Sequence, residues 1–188
     1  MRRLMLVMAL GVVVALGLGG ALAWYLPRLL QPSTAALPPP PAPPPGARIR
    51  ATLFYVSEDG LRLVGVTREV PFGEGVDTQA RLLLEAQFEP APEPYAQAIP
   101  RGTTLRSLFV MPNGDAFVDL SPEARSAHTG GSLDELFSVF TIVNAVTTNL
   151  PAIKRVQILV DGREVDSLAG HVDLRQPLEK NMKWVTAP

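Results

Sequence analysis

The sequence predicts an α+β domain in which one mixed β-sheet carries two helices on one face, in the order ββαββαββ. The main observation is residues 114–162, where two short apolar runs flank one long amphipathic segment. This pattern predicts a strand, a covering helix and a second strand, with the two strands parallel through a right-handed crossover. The other apolar runs are separated by short turn signals, which favour antiparallel hairpins.

Residues 1–30 have the composition of an N-terminal membrane anchor. Arg2 and Arg3 precede an uncharged run over residues 4–27, which exceeds the roughly 20 residues that a transmembrane helix needs. With the arginines inside, we expect a single pass through the cytoplasmic membrane and the domain outside. The alternative is a signal peptide cleaved after Ala23, which would give a secreted protein. Trp24-Tyr25 and Arg28 favour the retained helix, because such residues anchor at the membrane interface.

A linker over residues 31–47 follows, with eight prolines between positions 32 and 45. The octet at 38–45 favours a polyproline II spacer of about 25 Å. We expect the domain to occupy residues 48–180 and a C-terminal tail to occupy residues 181–188.

The first half of the domain reads as two hairpins around a helix. Residues 48–56 and 61–70 are rich in β-forming residues and flank the turn at 57–60. Residues 78–88 form a helix with Asp77 as its N-cap. Residues 103–111 and 116–120 form the second hairpin, which Asn113-Gly114 closes.

The second half contains the long helix. Ser132 and Glu135 match a capping box at its start, and Leu150-Pro151 ends it. Its buried face is predicted to carry apolar residues at helical spacing: Leu136, Val139, Phe140, Val143, Val146 and Leu150. Its polar residues lie largely elsewhere: Asp134, Ser138, Thr141, Asn144 and Thr148. A strand over 154–160 and a short one near 164–168 flank the turn Asp161-Gly162, while 89–102 and 121–131 read as irregular, exposed loops.

Composition excludes several classes of function. From Arg48 onward the chain has 14 basic and 18 acidic residues, a net charge of −4, so binding to nucleic acid is disfavoured. The chain has no cysteine, which excludes disulfides, thiolate metal sites and a cysteine nucleophile.

Two groups of residues could suggest catalysis. Ser121, His128 and Asp119 are close in sequence, but no oxyanion-hole motif accompanies them, and His128 reads as a solvent-exposed loop residue. Four aspartates near strand ends could supply a pair of glycosidase carboxylates: Asp115, Asp119, Asp161 and Asp166. Turn preference explains Asp115 and Asp161, and an outward strand face explains Asp119. We therefore predict no catalytic, cofactor-binding or metal-binding residue, and no enzyme.

Three other features have structural interpretations. The neighbouring pairs Arg68/Glu69 and Arg163/Glu164 are expected on solvated strand faces. Trp184 is expected to pack as a cap over the end of the core.

Five segments in order resemble the GerMN domain, the sporulation and spore germination domain, over residues 53–178. They are LFYVSEDG at 53–60, TREVP at 67–71, AIPRGTTL at 98–105, GDAFVDLS at 114–121 and VQILVDG at 156–162. The chain departs from the family in lacking a lipobox cysteine and in carrying a single copy of the domain.

The resemblance implies an exported, membrane-tethered and non-enzymatic assembly part of the cell envelope. We expect it to bind an envelope protein, or a second copy of itself, through sheet edges and the loops 89–102 and 121–131. The alternatives are a peptidoglycan-binding or wall-remodelling accessory protein and, more remotely, a wall hydrolase.

Overall fold

The computed structural model describes residues 24–26, which are helical, and residues 46–186. The predicted anchor (1–30) and linker (31–47) lie outside these residues apart from 24–26 and 46–47. Within the two described ranges, no helix combines the length and the apolarity that a bilayer crossing requires.

Residues 46–186 fold with eight strands and three helices, which confirms the α+β class. Most predicted elements are present within two or three residues of their expected bounds, but the second predicted loop contains a short helix, and two C-terminal strands were not predicted. In chain order the elements are β1 (Arg48–Val56), β2 (Leu63–Pro71), α1 (Val76–Phe88), β3 (Leu105–Val110), β4 (Asp115–Leu120), α2 (Glu123–Ser126), α3 (Ser132–Asn149), β5 (Arg155–Val160), β6 (Arg163–Glu164), β7 (Leu178–Glu179) and β8 (Val185–Thr186).

The prediction of a single mixed sheet is wrong, because the strands form two sheets. The first has the order β1-β2-β8, with β1 and β2 antiparallel and β8 parallel to β2. The second has the order β3-β4-β5-β6, and β7 pairs with β5 as well. Strands β4 and β5 are parallel neighbours, as the strand–helix–strand pattern predicted.

Side-chain amides explain why β1 does not join the second sheet. Gln87, at the end of α1, accepts from the Phe54 N–H and donates to the Phe54 carbonyl, both at 2.8 Å. Asn149, at the end of α3, does the same for Thr52, at 2.8 and 2.7 Å. Val56, the next residue on the same edge of β1, pairs with Ala96. The outward backbone groups of β1 at these positions are therefore satisfied without another strand.

Helix α3 lies between the two sheets, and the prediction that its polar residues lie largely away from the buried face is wrong. The helix packs against β1 of one sheet and β5 of the other. Its residues 137–147 are all buried, including Ser138, Thr141 and Asn144. An amphipathic pattern identifies the more apolar face, but it cannot show that a second layer covers the other face.

The predicted capping box is also wrong, because Glu135 has a different role. The cap position of α3 is Gly131, and no side chain caps the helix. The Glu135 carboxylate is fully buried and accepts hydrogen bonds from the backbone N–H groups of Leu168 and His171, at 2.8 and 2.7 Å, and from Nδ1 of His171 at 3.1 Å. Burial alone would raise the pKa of this carboxyl, but the backbone N–H groups of Ala169, His171 and Leu168, together with the His171 ring, outweigh it and hold the pKa below its ordinary value.

Asp77 likewise does not cap α1. The cap position is Gly75, and the Asp77 carboxylate accepts from the backbone N–H of Val110 at 2.7 Å. Asp77 therefore joins the first turn of α1 to the end of β3.

The C-terminal residues belong to the folded unit, although a tail was expected from residue 181. Asn144 on α3 donates to the Asn181 carbonyl and accepts from its N–H, at 2.8 and 2.9 Å. These two bonds hold the chain just before β8, where Val185 packs against the core. The Trp184 side chain is 38% exposed, so it does not form the predicted cap.

Candidate functional site

The two loops that were expected to bind a partner lie on either side of one cleft. This loop cleft encloses about 330 Å³ and is lined by residues 97–101, residues 127–129 and the first two turns of α3. Its apolar floor includes Val56, Ile99 and Phe137, and its polar lining includes His128, Asp134 and Ser138. The loops are separate in sequence, so their convergence is a result of the tertiary structure.

The first loop, residues 89–102, folds back, and hydrogen bonds from its middle hold it against β1 and against the end of α1. Ala96 pairs with Val56, and the Gln97 side chain donates to the carbonyls of Gln87 and Glu89, at 2.7 and 2.8 Å. A second cleft of about 640 Å³ lies along this loop and is lined by residues from 88 to 103. The segment 97–101 thus stands as a wall shared by two clefts.

The second loop, residues 121–131, is more ordered than predicted. Residues 123–126 form the one-turn helix α2, and its Ala124 is buried. The Ser121 hydroxyl accepts from the Thr104 N–H at 3.0 Å and also bonds the Glu123 carboxyl, whose pKa it lowers. These bonds hold the start of the loop against the β3–β4 hairpin.

Ser138 joins both walls of the loop cleft. Its Oγ lies 2.6 Å from the Ala98 carbonyl oxygen, 2.9 Å from the Asp134 carbonyl oxygen and 3.3 Å from Nε2 of His128. Nδ1 of His128 accepts from the backbone N–H of Gly130 at 3.0 Å. One serine on α3 therefore connects the first loop directly and the second loop through an imidazole.

These hydrogen bonds assign the tautomer of His128. Because Nδ1 accepts from Gly130, the proton of the neutral ring is on Nε2, which donates to the Ser138 oxygen. The Ser138 hydroxyl proton is then directed to a backbone carbonyl, that of Ala98 or that of Asp134. A general base must present a lone pair to the hydroxyl that it deprotonates, and here the ring presents a proton instead. The arrangement therefore positions loops and does not activate Ser138 as a nucleophile.

The residues of the possible triad are not brought together. Ser121 bonds Thr104, His128 bonds Gly130 and Ser138, and Asp119 accepts from the Gly162 N–H at 2.8 Å. His128 is half-buried in the cleft wall, so the expectation of a solvent-exposed histidine is wrong.

The aspartates at the strand ends have structural partners. Asp119 is buried, contrary to the expected outward face, and lies 3.6 Å from Nε of Arg106. The same arginine also pairs with Asp161. A glycosidase pair needs a gap of about 5–9.5 Å for the sugar or a water, and here a guanidinium binds both carboxylates.

Asp115 is the third aspartate with a clear role. It forms a bidentate pair with Arg155, with both N–O distances 2.6 Å. The Arg155 guanidinium and the Asn113 amide hold the pKa of Asp115 below its usual value. Asp166 contributes its backbone carbonyl, which accepts from the Leu174 N–H at 2.8 Å.

The two arginine–acid pairs differ from each other. Arg163 and Glu164 are exposed on β6, as predicted. Arg68 is partly buried and donates to the Tyr55 hydroxyl at 3.0 Å and to Glu89 at 3.3 Å, so it is more than a solvated strand residue.

Sequence reasoning missed Ser138 as a connecting residue. The two residues that it joins, Ala98 and His128, are 40 and 10 positions away along the chain. A polar residue within an apolar helical pattern was the only available signal. In the described part of the chain, no group of three or more His, Cys, Asp or Glu residues could hold a metal ion.

Comparison with solved structures identifies similar folds. The tandem GerMN domains of the sporulation protein GerM from Bacillus subtilis share 18% sequence identity with this chain, with a TM-score of 0.56. The match covers 71% of this chain and 46% of that one, so the chain spans about half the length of that structure. A putative lipoprotein from Clostridium perfringens shares 23% identity, with a TM-score of 0.50, over 74% of this chain and 93% of that one. At these identities the likeness concerns the fold.

Comparison with sequences adds the family. No curated protein sequence gives a significant match. The model of the Germane family, described as sporulation and spore germination, matches residues 52–166. That range runs from the second half of β1 through β6 and contains both walls of the loop cleft. The chain therefore belongs to the sporulation and spore germination family, whose domain is the GerMN domain.

Proposed function

We propose that this chain is a membrane-anchored interaction module on the outer side of the cytoplasmic membrane, and that it binds an envelope protein through the loop cleft without catalysing a reaction. The observation that carries the proposal is the convergence of two distant loops on one cleft, with Ser138 joined to both. Binding sites are commonly built from loops that a rigid scaffold positions. Helix α3, buried between two sheets, is such a scaffold.

The location outside the membrane rests on the sequence of residues 1–30. The arginines before the apolar run and the aromatic residues after it support a retained anchor, and the proline-rich segment supports a spacer between membrane and domain. Protease added to intact spheroplasts should degrade the domain and leave a membrane fragment. Mature protein found free in the medium with Trp24 as its first residue would contradict the anchor.

The binding site can be tested by filling the cleft. Ala127 lines the cleft and is exposed, so Ala127→Trp should occupy its volume without disturbing the core. Ala152 is exposed in the turn after α3, and Ala152→Trp is the matched control. A photo-crosslinking residue placed at Thr129, on the cleft wall, should capture one defined envelope protein from intact cells. That product should disappear with Ala127→Trp and persist with Ala152→Trp.

Two outcomes would contradict the proposed binding site. One is a crosslinked product that survives Ala127→Trp, and the other is the absence of any protein product at Thr129. Crosslinks between two copies of the chain would assign the cleft to self-association. The peptidoglycan alternative is separated by co-sedimentation with purified sacculi, where binding lost in Ala127→Trp would make the glycan the ligand of the cleft.

A further inference from the structure

The wall of the loop cleft that the second loop forms is held in place by one imidazole, and its position depends on the protonation state of that ring. Nδ1 of His128 accepts the Gly130 N–H at 3.0 Å, and its Nε2 lies 3.3 Å from the Ser138 oxygen. Only the neutral ring can make both bonds, because an imidazolium has two N–H donors and no acceptor. We propose that protonation of His128 releases residues 127–131 and opens the loop cleft. This opening would regulate the binding site described under the proposed function, and its biological role rests on that function.

The charged groups around His128 favour a second position for the ring. Asp134, on the first turn of α3, lines the same cleft and offers a carboxylate to an imidazolium. Arg101, on the opposite loop, is a cation that lines the same cleft. Arg125, on α2, directs its Nε toward the Leu168 carbonyl at 3.5 Å and so points elsewhere. The neutral ring is thus held by Gly130 and Ser138, whereas the charged ring repels the Gly130 donor and is attracted to Asp134.

The change at His128 should reach the other wall through Ser138. The Ser138 hydroxyl donates to Ala98 at 2.6 Å while its oxygen accepts from the ring. When the ring departs, the Ser138 oxygen loses that donor, whereas its bond to Ala98 is independent of pH. We therefore expect a large loosening of 127–131 and a smaller one of 97–101.

The glycines beside the ring allow this movement. Gly130 and Gly131 both have positive φ, 85° and 94°, which glycine adopts without steric cost. A Cβ built on Gly130 would meet no atom within 4 Å beyond its chain neighbours, so the space on that side of the half-buried residue is open. The loop can therefore move toward that side without a steric clash at Gly130.

The experiment is hydrogen–deuterium exchange of the full chain in detergent micelles, at pH 8.0 and pH 5.5 with correction for intrinsic exchange rates. Histidines change charge in this interval, and the chain has only two, His128 and His171. In the wild type, exchange of 127–131 should rise about five- to tenfold at pH 5.5, the effect of losing one hydrogen bond. His171→Gln should keep this response, and His128→Gln, which cannot be protonated, should abolish it.

A second measurement uses the unmodified chain, so that a poorly folded variant cannot obscure the result. Two-dimensional ¹⁵N NMR of the imidazole nitrogens at pH 8.0 should show the proton of His128 on Nε2. A proton on Nδ1, pH-independent exchange of 127–131, or a response that persists in His128→Gln would each overturn the inference. None of these readouts needs a binding partner, so failure here is distinct from failure of the Ala127→Trp test.

Discussion

Glu135 provides the most direct test of how α3 holds the C-terminal part of the domain. The substitution Glu135→Gln keeps the size of the side chain but replaces one carboxylate oxygen with an NH₂ donor. In the wild type, both oxygens accept backbone N–H groups, from Leu168 and from His171. In the variant one of these N–H groups faces another donor, in a site with no exposed surface.

The expected cost follows from these bonds. A buried donor left unsatisfied costs about 1–3 kcal/mol, and the remaining bond weakens by about 1 kcal/mol when its acceptor becomes neutral. We expect the free energy of unfolding to fall by about 3 kcal/mol at pH 7, which for a domain of this size lowers Tm by about 10 °C. Urea unfolding followed by circular dichroism measures this change, and Glu164→Gln on the exposed strand β6 is the control.

The pH dependence has a defined sign. The folded-state pKa of Glu135 lies below its ordinary value of 4.5, so the charged carboxylate stabilises the fold above that pH. This contribution is lost as the pH falls through the folded-state pKa. The difference between wild type and Glu135→Gln should therefore be largest at neutral pH and shrink on acidification. A difference below about 0.5 kcal/mol at pH 7, or one that does not change with pH, would refute the role of the carboxylate.

Three further predictions concern the scaffold. Gln87→Leu removes both side-chain bonds to Phe54 and should lower the free energy of unfolding in urea by about 3 kcal/mol; unchanged stability would contradict its role in satisfying the edge of β1. Arg155→Gln should raise the pKa of Asp115 toward its ordinary value, because the guanidinium is the main cause of the shift, and a carboxyl ¹³C NMR titration would detect a failure to rise. Gly114→Ala should destabilise by about 2 kcal/mol, since φ is 92° and the added Cβ would lie 2.9 Å from a carbonyl oxygen; a thermal melt equal to wild type would count against this strain.

Local signals in the sequence were sufficient for the main strands and helices. The turn at 57–60 sets the β1–β2 hairpin, whose register runs without interruption from Arg48 to Val56. Asp161 and Gly162 both have positive φ, 55° and 73°, as a two-residue hairpin turn requires. These features depend on residues close in sequence, so a pattern within a short window can predict them.

The division into two sheets could not be read in the same way. It depends on Gln87 reaching Phe54, 33 residues away, and on Asn149 reaching Thr52, 97 residues away. No periodicity indicates that a glutamine at the end of one helix will satisfy the edge of a strand. Strand β8 is similar, because two residues carry little pattern and their placement follows from the pairing of Asn144 with Asn181.

The candidate site was predictable as two loops but not as a cleft. The expectation that residues 89–102 and 121–131 present a binding surface came from their irregular, polar composition. Their shared geometry depends on Ser138, which the helical pattern placed away from the buried face of α3. The hydroxyl is instead the point at which both loops meet the scaffold.

Four polar residues of α3 share one function. Each of the four gives hydrogen-bond partners to backbone that lacks complete pairing in a sheet: Glu135 to 168–171, Ser138 to Ala98, Asn144 to Asn181 and Asn149 to β1. Buried backbone groups must be satisfied, and irregular segments lack the regular pairing of a sheet that would satisfy all of theirs. A central helix therefore needs polar side chains wherever such a segment crosses it. In this chain, whose long helix is covered on both sides, these four polar positions mark where the edge of β1 and the irregular segments attach to the helix.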